Sequence, residues 1–127
     1  MADDRLIVAL DVSTMDAMKS IVSSLGDSVS FYKVGMELFY AEGDQTVRYL
    51  QEHGKHVFLD LKLHDIPNTV KSAMKQLAKL EVDMVNVHAS GSIAMMKAAI
   101  EGLEAGKTGD KRPLCIAVTC LTSLDQE

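Results

Sequence analysis

Val57-Phe58-Leu59-Asp60-Leu61-Lys62-Leu63-His64-Asp65-Ile66-Pro67-Asn68-Thr69 places three charges, Asp60, Lys62 and Asp65, in a run that otherwise reads as a buried strand. Side chains alternate faces along a strand, so strict alternation puts Asp60 and Lys62 on the same face. Unpaired charge is costly inside a core. A strand that keeps charges near its end therefore gives up stability for chemistry, or holds a structural ion pair; the spacing alone leaves both readings open. Asp65 falls where the strand should end, and Pro67 suits the first turn of a helix. The stretch reads as strand, charged tip, helix.

The same unit recurs on both sides. Leu6 to Leu10 is a continuous apolar run ending at Asp11, which predicts a strand buried on both faces. Ser13 or Thr14 can cap a helix whose apolar face is Met18, Ile21, Val22 and Leu25, with Gly26 at its end. Val29 to Val34 predicts a second strand carrying Lys33 near its tip. A loop or short helix over 35–43 and a helix from Asp44 to Glu52 follow. After the charged strand, Val70, Ala73, Met74, Leu77 and Ala78 recur at helical spacing. Val82 to Val87 predicts a fourth strand, with Asn86 and His88 near its end. Ser92 caps a helix with Ile93, Met96, Ile100 and Leu103 on its apolar face, closed by Gly106. Leu114 to Val118 predicts a fifth strand, followed by Thr119, Thr122 and Ser123.

Polar residues thus mark the strand ends at positions 11, 33, 60, 88 and 119, with intervals of 22, 27, 28 and 31 residues. That is the length of one βα unit. Parallel α/β folds place their sites at the C-terminal ends of strands, where these residues fall. No glycine-rich dinucleotide fingerprint follows any strand, which weighs against a doubly wound nucleotide fold. The expectation is an α/β fold: residues 1–127 as a single partial TIM-barrel domain, five βα strands truncated before closure, since a full (β/α)8 barrel takes about 250 residues. Strands 1 and 5 would then be open apolar edges.

Composition narrows the partners. Hydrophobic residues make up 47% and charged residues 24% of the chain, the balance of a globular protein with a core. The formal net charge of −5 argues against nucleic-acid and membrane-surface partners, which want a basic face. Cys115 and Cys120, read as opposite-parity residues of one strand, face opposite ways and fit a reducing compartment. With no signal peptide before Arg5 and no apolar run of bilayer length, the expected location is cytoplasmic.

Asp-x-Lys-x-x-Asp-Ile-Pro-x-Thr, as it stands from Asp60 to Thr69, resembles the signature of orotidine 5′-phosphate decarboxylases, and the resemblance runs from Leu6 to Ser123. It implies a lyase of UMP biosynthesis that decarboxylates orotidine 5′-phosphate. Lys62 is then the proton donor, within an array of Asp60, Asp65 and Lys33. The residues matching Asp11 and Lys33 contact the ribose, and Thr122 or Ser123 matches a position that contacts the pyrimidine. Loss of CO2 leaves a carbanion at C6, and an ammonium beside that carbon both stabilises it and protonates it. Flanking carboxylates favour the ammonium and fix it before reaction. The resemblance implies no metal and no organic cofactor. It also implies a homodimer with shared sites, in which the residues matching Asp65, Ile66 and Thr69 reach the neighbouring subunit. The family's phosphate grip, an arginine and backbone amides near the last two strands and a glutamine on a late loop, has no counterpart in these 127 residues.

Two alternatives stand beside this reading. Sister enzymes such as 3-keto-L-gulonate 6-phosphate decarboxylase share Asp-x-Lys-x-x-Asp but use Mg2+; the continuation Ile66-Pro67-Asn68-Thr69 favours the orotidine enzyme. The other is a non-catalytic half-barrel that acts only in association. The remaining candidates read as structure. Gly106-Lys107-Thr108 lacks the glycine a phosphate loop needs five positions earlier, where Glu101 stands. His53, His56, His64 and His88 have no metal-ligand spacing. Glu81 and Asp83 read as solvated loop charges, and Met95 and Met96 as helix packing.

Overall fold

The computed structural model describes residues 2–126. Five strands, β1 (Val8–Ala9), β2 (Phe31–Gly35), β3 (His56–Leu63), β4 (Met84–His88) and β5 (Leu114–Val118), form one parallel sheet in sequence order. Helices α1 (Met15–Leu25), α2 (Met36–Glu42), α3 (Gln45–Glu52), α4 (Pro67–Lys79) and α5 (Ile93–Gly106) alternate with them. This is an α/β fold like the N-terminal part of a TIM barrel. The chain forms two compact units: the residues up to Asp60 with Val82–Met84, and Leu61–Glu81 with the residues from Val85 onward.

In the first unit β2 pairs in parallel with β1 and β3, with Val8 opposite Tyr32, Lys33 opposite Phe58 and Gly35 opposite Asp60. β2 alternates cleanly. Tyr32 and Val34 are fully buried, while Phe31, Lys33 and Gly35 are half-buried on the other face. The Tyr32 hydroxyl has no hydrogen-bond partner among the described residues, and burial pushes its phenol up from its ordinary value. α1 starts as expected, with the Ala17 N–H donating to Thr14 Oγ1 at 3.1 Å, and ends at Gly26, whose φ of +51° suits glycine.

Two expectations for this unit need correction. β1 is two residues long, not Leu6 to Leu10, and it is not buried on both faces: Leu6 is 55% exposed and Ala9 is exposed, with Leu10 alone of the run fully buried. As an edge strand it has one neighbour, which limits its ladder. Asp83 does lie in the loop before β4 with its side chain 40% exposed, but it is more than a solvated charge. Its Oδ2 accepts from the Val57 N–H at 2.8 Å, its own N–H donates to the Val57 carbonyl at 2.9 Å, and its Oδ1 lies 3.1 Å from His56 Nδ1. It anchors the start of β3.

In the second unit Pro67 opens α4 at its first helical position, and Val70, Met74, Leu77 and Ala78 form the buried face. β4 is buried through Val85, Asn86 and Val87. The Met95 N–H donates to Ser92 Oγ at 3.2 Å, so Ser92 caps α5. The buried face of α5 is, however, Met95, Ala98, Ala99, Gly102, Leu103 and Gly106, and Ile93 is 69% exposed. The helix packs through Met95 and Leu103 together with a row of small residues, Ala98, Ala99, Gly102 and Gly106. A Cβ added at Gly102 would meet the Lys71 carbonyl oxygen at 2.2 Å, and one at Gly106 would meet the Lys75 carbonyl oxygen at 2.2 Å. Two glycines four apart on α5 therefore sit on two residues four apart on α4, backbone against backbone. Gly106 is part of this contact as well as the last residue of the helix.

Past β5, Cys120 lies outside the strand, so the parity argument does not apply to it. Both cysteines are free, and burial raises the Cys115 thiol while the nearby Arg112 acts against the rise. β5 is an edge that carries exposed Leu114 and Ile116. Among the described residues no helix is long and apolar enough to cross a membrane.

The α4–α5 contact yields a stability prediction. Gly102→Ala should destabilise a folded barrel by about 2 kcal/mol, because a backbone carbonyl cannot move aside as a flexible side chain can and overpacking outweighs the gain in helix propensity. Gly109→Ala, with nothing within 4 Å of the added carbon, should leave the urea midpoint unchanged. Equal midpoints for the two variants would refute the close approach.

Candidate active site

The first unit brings three of the expected residues together. Lys33 leaves β2 on its half-buried face and passes Gly35, where a methyl carbon would just touch its Nζ at 4.0 Å. Its ammonium donates to Asp60 Oδ2 at 3.0 Å and lies 4.0 Å from Asp11 Oδ1. The side chain of Asp60 is 8% exposed, that of Lys33 25% and that of Asp11 75%. The array therefore grades from a buried carboxylate at the tip of β3 to a solvated one after β1. Register explains the geometry: Gly35 stands opposite Asp60, so a lysine two residues earlier on the same face reaches it by leaning along the strand. A positive centre between two carboxylates, with the Asp11 side open to solvent, offers both donors and acceptors to a polar ligand.

The second unit carries Lys62, Asp65, Ile66 and Thr69 in succession through the end of β3 and the first turn of α4. Lys62 is half-buried and has φ +52°, a left-handed backbone inside a strand. The alternation rule therefore cannot be carried to Lys62, whose side-chain direction is set by this local reversal. For a residue other than glycine such a conformation costs about 1–3 kcal/mol and persists where the surroundings enforce it. Here the Lys62 N–H donates to Asn86 Oδ1 at 2.9 Å. Asp65 is exposed, and its Oδ1 accepts from the Ile66 N–H at 2.7 Å. Ile66 precedes Pro67 in extended backbone and is 67% exposed, and Thr69 is exposed in the first turn of α4. Thr122 and Ser123 lie exposed in a turn beyond β5.

Several contacts were not foreseen from sequence. The His64 and His88 rings lie against each other, tilted by 40° with centroids 5.2 Å apart, a pairing across 24 residues that no local spacing signals. Asn86 was noted only as polar and near a strand end; a buried amide flanked by Val85 and Val87 was the available clue. Glu81 and the Gly106-Lys107-Thr108 segment are tied to each other: Thr108 Oγ1 donates to Glu81 Oε1 at 2.6 Å, and Lys107 Nζ to Glu104 Oε1 at 2.8 Å, which holds the Glu104 carboxyl below its usual range. These are structural uses of a segment that superficially suggests phosphate binding. Among the described residues no group of three or more His, Cys, Asp or Glu is placed to hold a metal ion.

The Lys33–Asp60 pair makes a testable statement. Lys33→Met should destabilise the fold by about 2–4 kcal/mol, because it removes a cation from a buried carboxylate. Adding Asp60→Leu should recover most of that loss, since the desolvated charge goes too. Additive losses in urea unfolding would show that the two side chains do not interact.

The sequence pattern of the orotidine 5′-phosphate decarboxylase / HUMPS family matches residues 4–127. Proteins named orotidine 5′-phosphate decarboxylase from Bacillus mycoides and Bacillus cereus are 60% identical over 122 residues, which is 95% of this chain and 51% of theirs. The chain thus spans about half the length of the curated relatives it matches. Among solved structures, an orotidine 5′-phosphate decarboxylase from Lactobacillus acidophilus superposes with a TM-score of 0.89 at 48% identity, over 97% of this chain and 56% of that one. An uncharacterized conserved protein from Geobacillus kaustophilus gives 0.89 at 56% identity, over 94% of this chain and 56% of that one. A pattern that spans nearly the whole chain, with relatives at this identity on the same strand–helix frame, means that the chain belongs to the orotidine 5′-phosphate decarboxylase / HUMPS family.

Proposed function

We propose that this chain supplies the proton-transfer half of an enzyme that decarboxylates orotidine 5′-phosphate to UMP. The observation that carries the reading is the Asp11–Lys33–Asp60 array at the strand ends, with Lys62 and Asp65 following on the same chain segment. The names of the 60% identical relatives support the substrate.

In this reading Lys33, held by Asp60 and Asp11, orients the ribose hydroxyls. Lys62 stands beside C6 of the pyrimidine as an ammonium. As the C6–CO2 bond breaks, its electron pair stays on C6 and the Lys62 charge stabilises it; the carbanion then takes a proton from Lys62, and solvent returns the proton to the amine. Most of the advantage is electrostatic preorganisation, because the cation is in place before charge develops. Thr122 or Ser123 contacts the base. Asp65, Ile66 and Thr69 complete the site of a second subunit in a homodimer. No metal or organic cofactor takes part. The 127 residues alone are inactive, because binding energy from the remote phosphate drives the positioning that catalysis needs and no residue here matches the family's phosphate grip.

Three outcomes test this in a chain of full family length. Lys62→Ala should lower kcat by at least about 10³-fold while the affinity for UMP changes less than about tenfold, since the lysine acts on a species present only near the transition state. Weakened affinity with normal turnover would show the role is wrong. Activity should survive EDTA; abolition by chelation would favour the Mg2+-dependent sister reaction. Lastly, inactive Lys62→Ala and Asp65→Ala variants, mixed under conditions of subunit exchange, should regain activity in about a quarter of sites, because one site of each mixed dimer is intact. No recovery despite proven exchange would place Asp65 in its own subunit's site.

A further inference from the structure

Asn86 sits in the middle of β4 between Val85 and Val87 and is 2% exposed. Asparagine is poorly suited to a strand interior, and a buried amide is tolerated only where its polar atoms are bonded. Its Oδ1 accepts the backbone N–H of Lys62 at 2.9 Å. Lys62 is the one strand residue of the second unit, among those described, with a left-handed backbone. The unfavourable conformation and the unusual buried acceptor thus meet in one hydrogen bond.

We infer that Asn86 is a positioning residue: its amide oxygen holds the Lys62 backbone in the left-handed conformation and so sets the direction in which the Lys62 side chain leaves the strand. An extended residue at this position would send its side chain elsewhere, and reversal at φ is the simplest way to re-aim a side chain without adding a residue. The effect on turnover rests on the reading of Lys62 as the proton donor. The effect on backbone conformation does not.

The test uses a chain of full family length with Asn86→Leu, which keeps the branched skeleton and removes the acceptor, and Asn86→Asp, which keeps an oxygen at the same reach. Asn86→Leu should lower kcat by about 30-fold or more with the affinity for UMP within about threefold of the parent, and Asn86→Asp should restore most of the loss. A merely structural asparagine would instead give losses in both variants that follow their thermal midpoints. A kcat in Asn86→Leu within about twofold of the parent, or no rescue by Asn86→Asp, overturns the inference. Should Asn86→Leu fail to fold, the parent still decides: a Lys62 amide that exchanges with solvent as fast as exposed loop amides overturns it, and a protected one supports it. Should the parent not decarboxylate orotidine 5′-phosphate, the functional reading fails, and a crystal structure of an Asn86 variant decides the positioning claim alone. Lys62 returned to extended backbone supports it; Lys62 still left-handed overturns it.

Discussion

A carboxylate as buried as that of Asp60 needs a cation against it, and Lys33 supplies that cation at 3.0 Å. Much of the first unit can be read as the means of bringing the two together. Parallel register sets Gly35 opposite Asp60, clean alternation on β2 puts Lys33 on the same face as Gly35, and the buried Tyr32 and Val34 fix the opposite face. Replacing such a pair by apolar side chains is often neutral or stabilising. Stability alone therefore does not account for its presence at the strand ends, and Asp11, far more exposed, extends the array toward solvent.

The second unit meets a different constraint. Lys62 adopts a backbone that lysine does not favour, with a buried side-chain acceptor on β4 holding its N–H. Close packing adds rigidity nearby, because α5 lies with Gly102 and Gly106 directly on the carbonyls of Lys71 and Lys75 of α4. A small-residue seam of this kind leaves little room for the helices to shift. A strained segment can persist only where its surroundings do not yield.

The strand-and-helix frame was legible because each strand ends in a polar residue at a spacing of one βα unit, and because Thr14, Pro67 and Ser92 signal helix starts by well-understood local chemistry. The Asp11–Lys33–Asp60 grouping was legible in outline from strand ends alone. Other features depend on partners distant in sequence. On α5 Leu103 and Met95 were read correctly as packing residues, but Ala98, Ala99 and Gly102 were passed over because large apolar residues were weighted above small ones, whereas close helix approach selects glycine and alanine. Lysine has no preference for positive φ, so nothing local announces the reversal at Lys62. Asp83 and the His64–His88 ring contact likewise take their roles from residues more than twenty positions away. The edge position of β1 was expected from the truncated barrel, but the apolar run from Leu6 to Leu10 does not reveal that the strand keeps only two residues.

In the proposed reaction Lys62 carries a proton to C6 of a pyrimidine. By microscopic reversibility the same group must remove the C6 hydrogen of UMP, which can be followed without any decarboxylation. In deuterium oxide a chain of full family length should exchange the C6 hydrogen of UMP for deuterium, and Lys62→Ala should abolish the exchange while still binding UMP. Exchange that persists undiminished in Lys62→Ala, or its absence in the parent with UMP bound, would contradict the account.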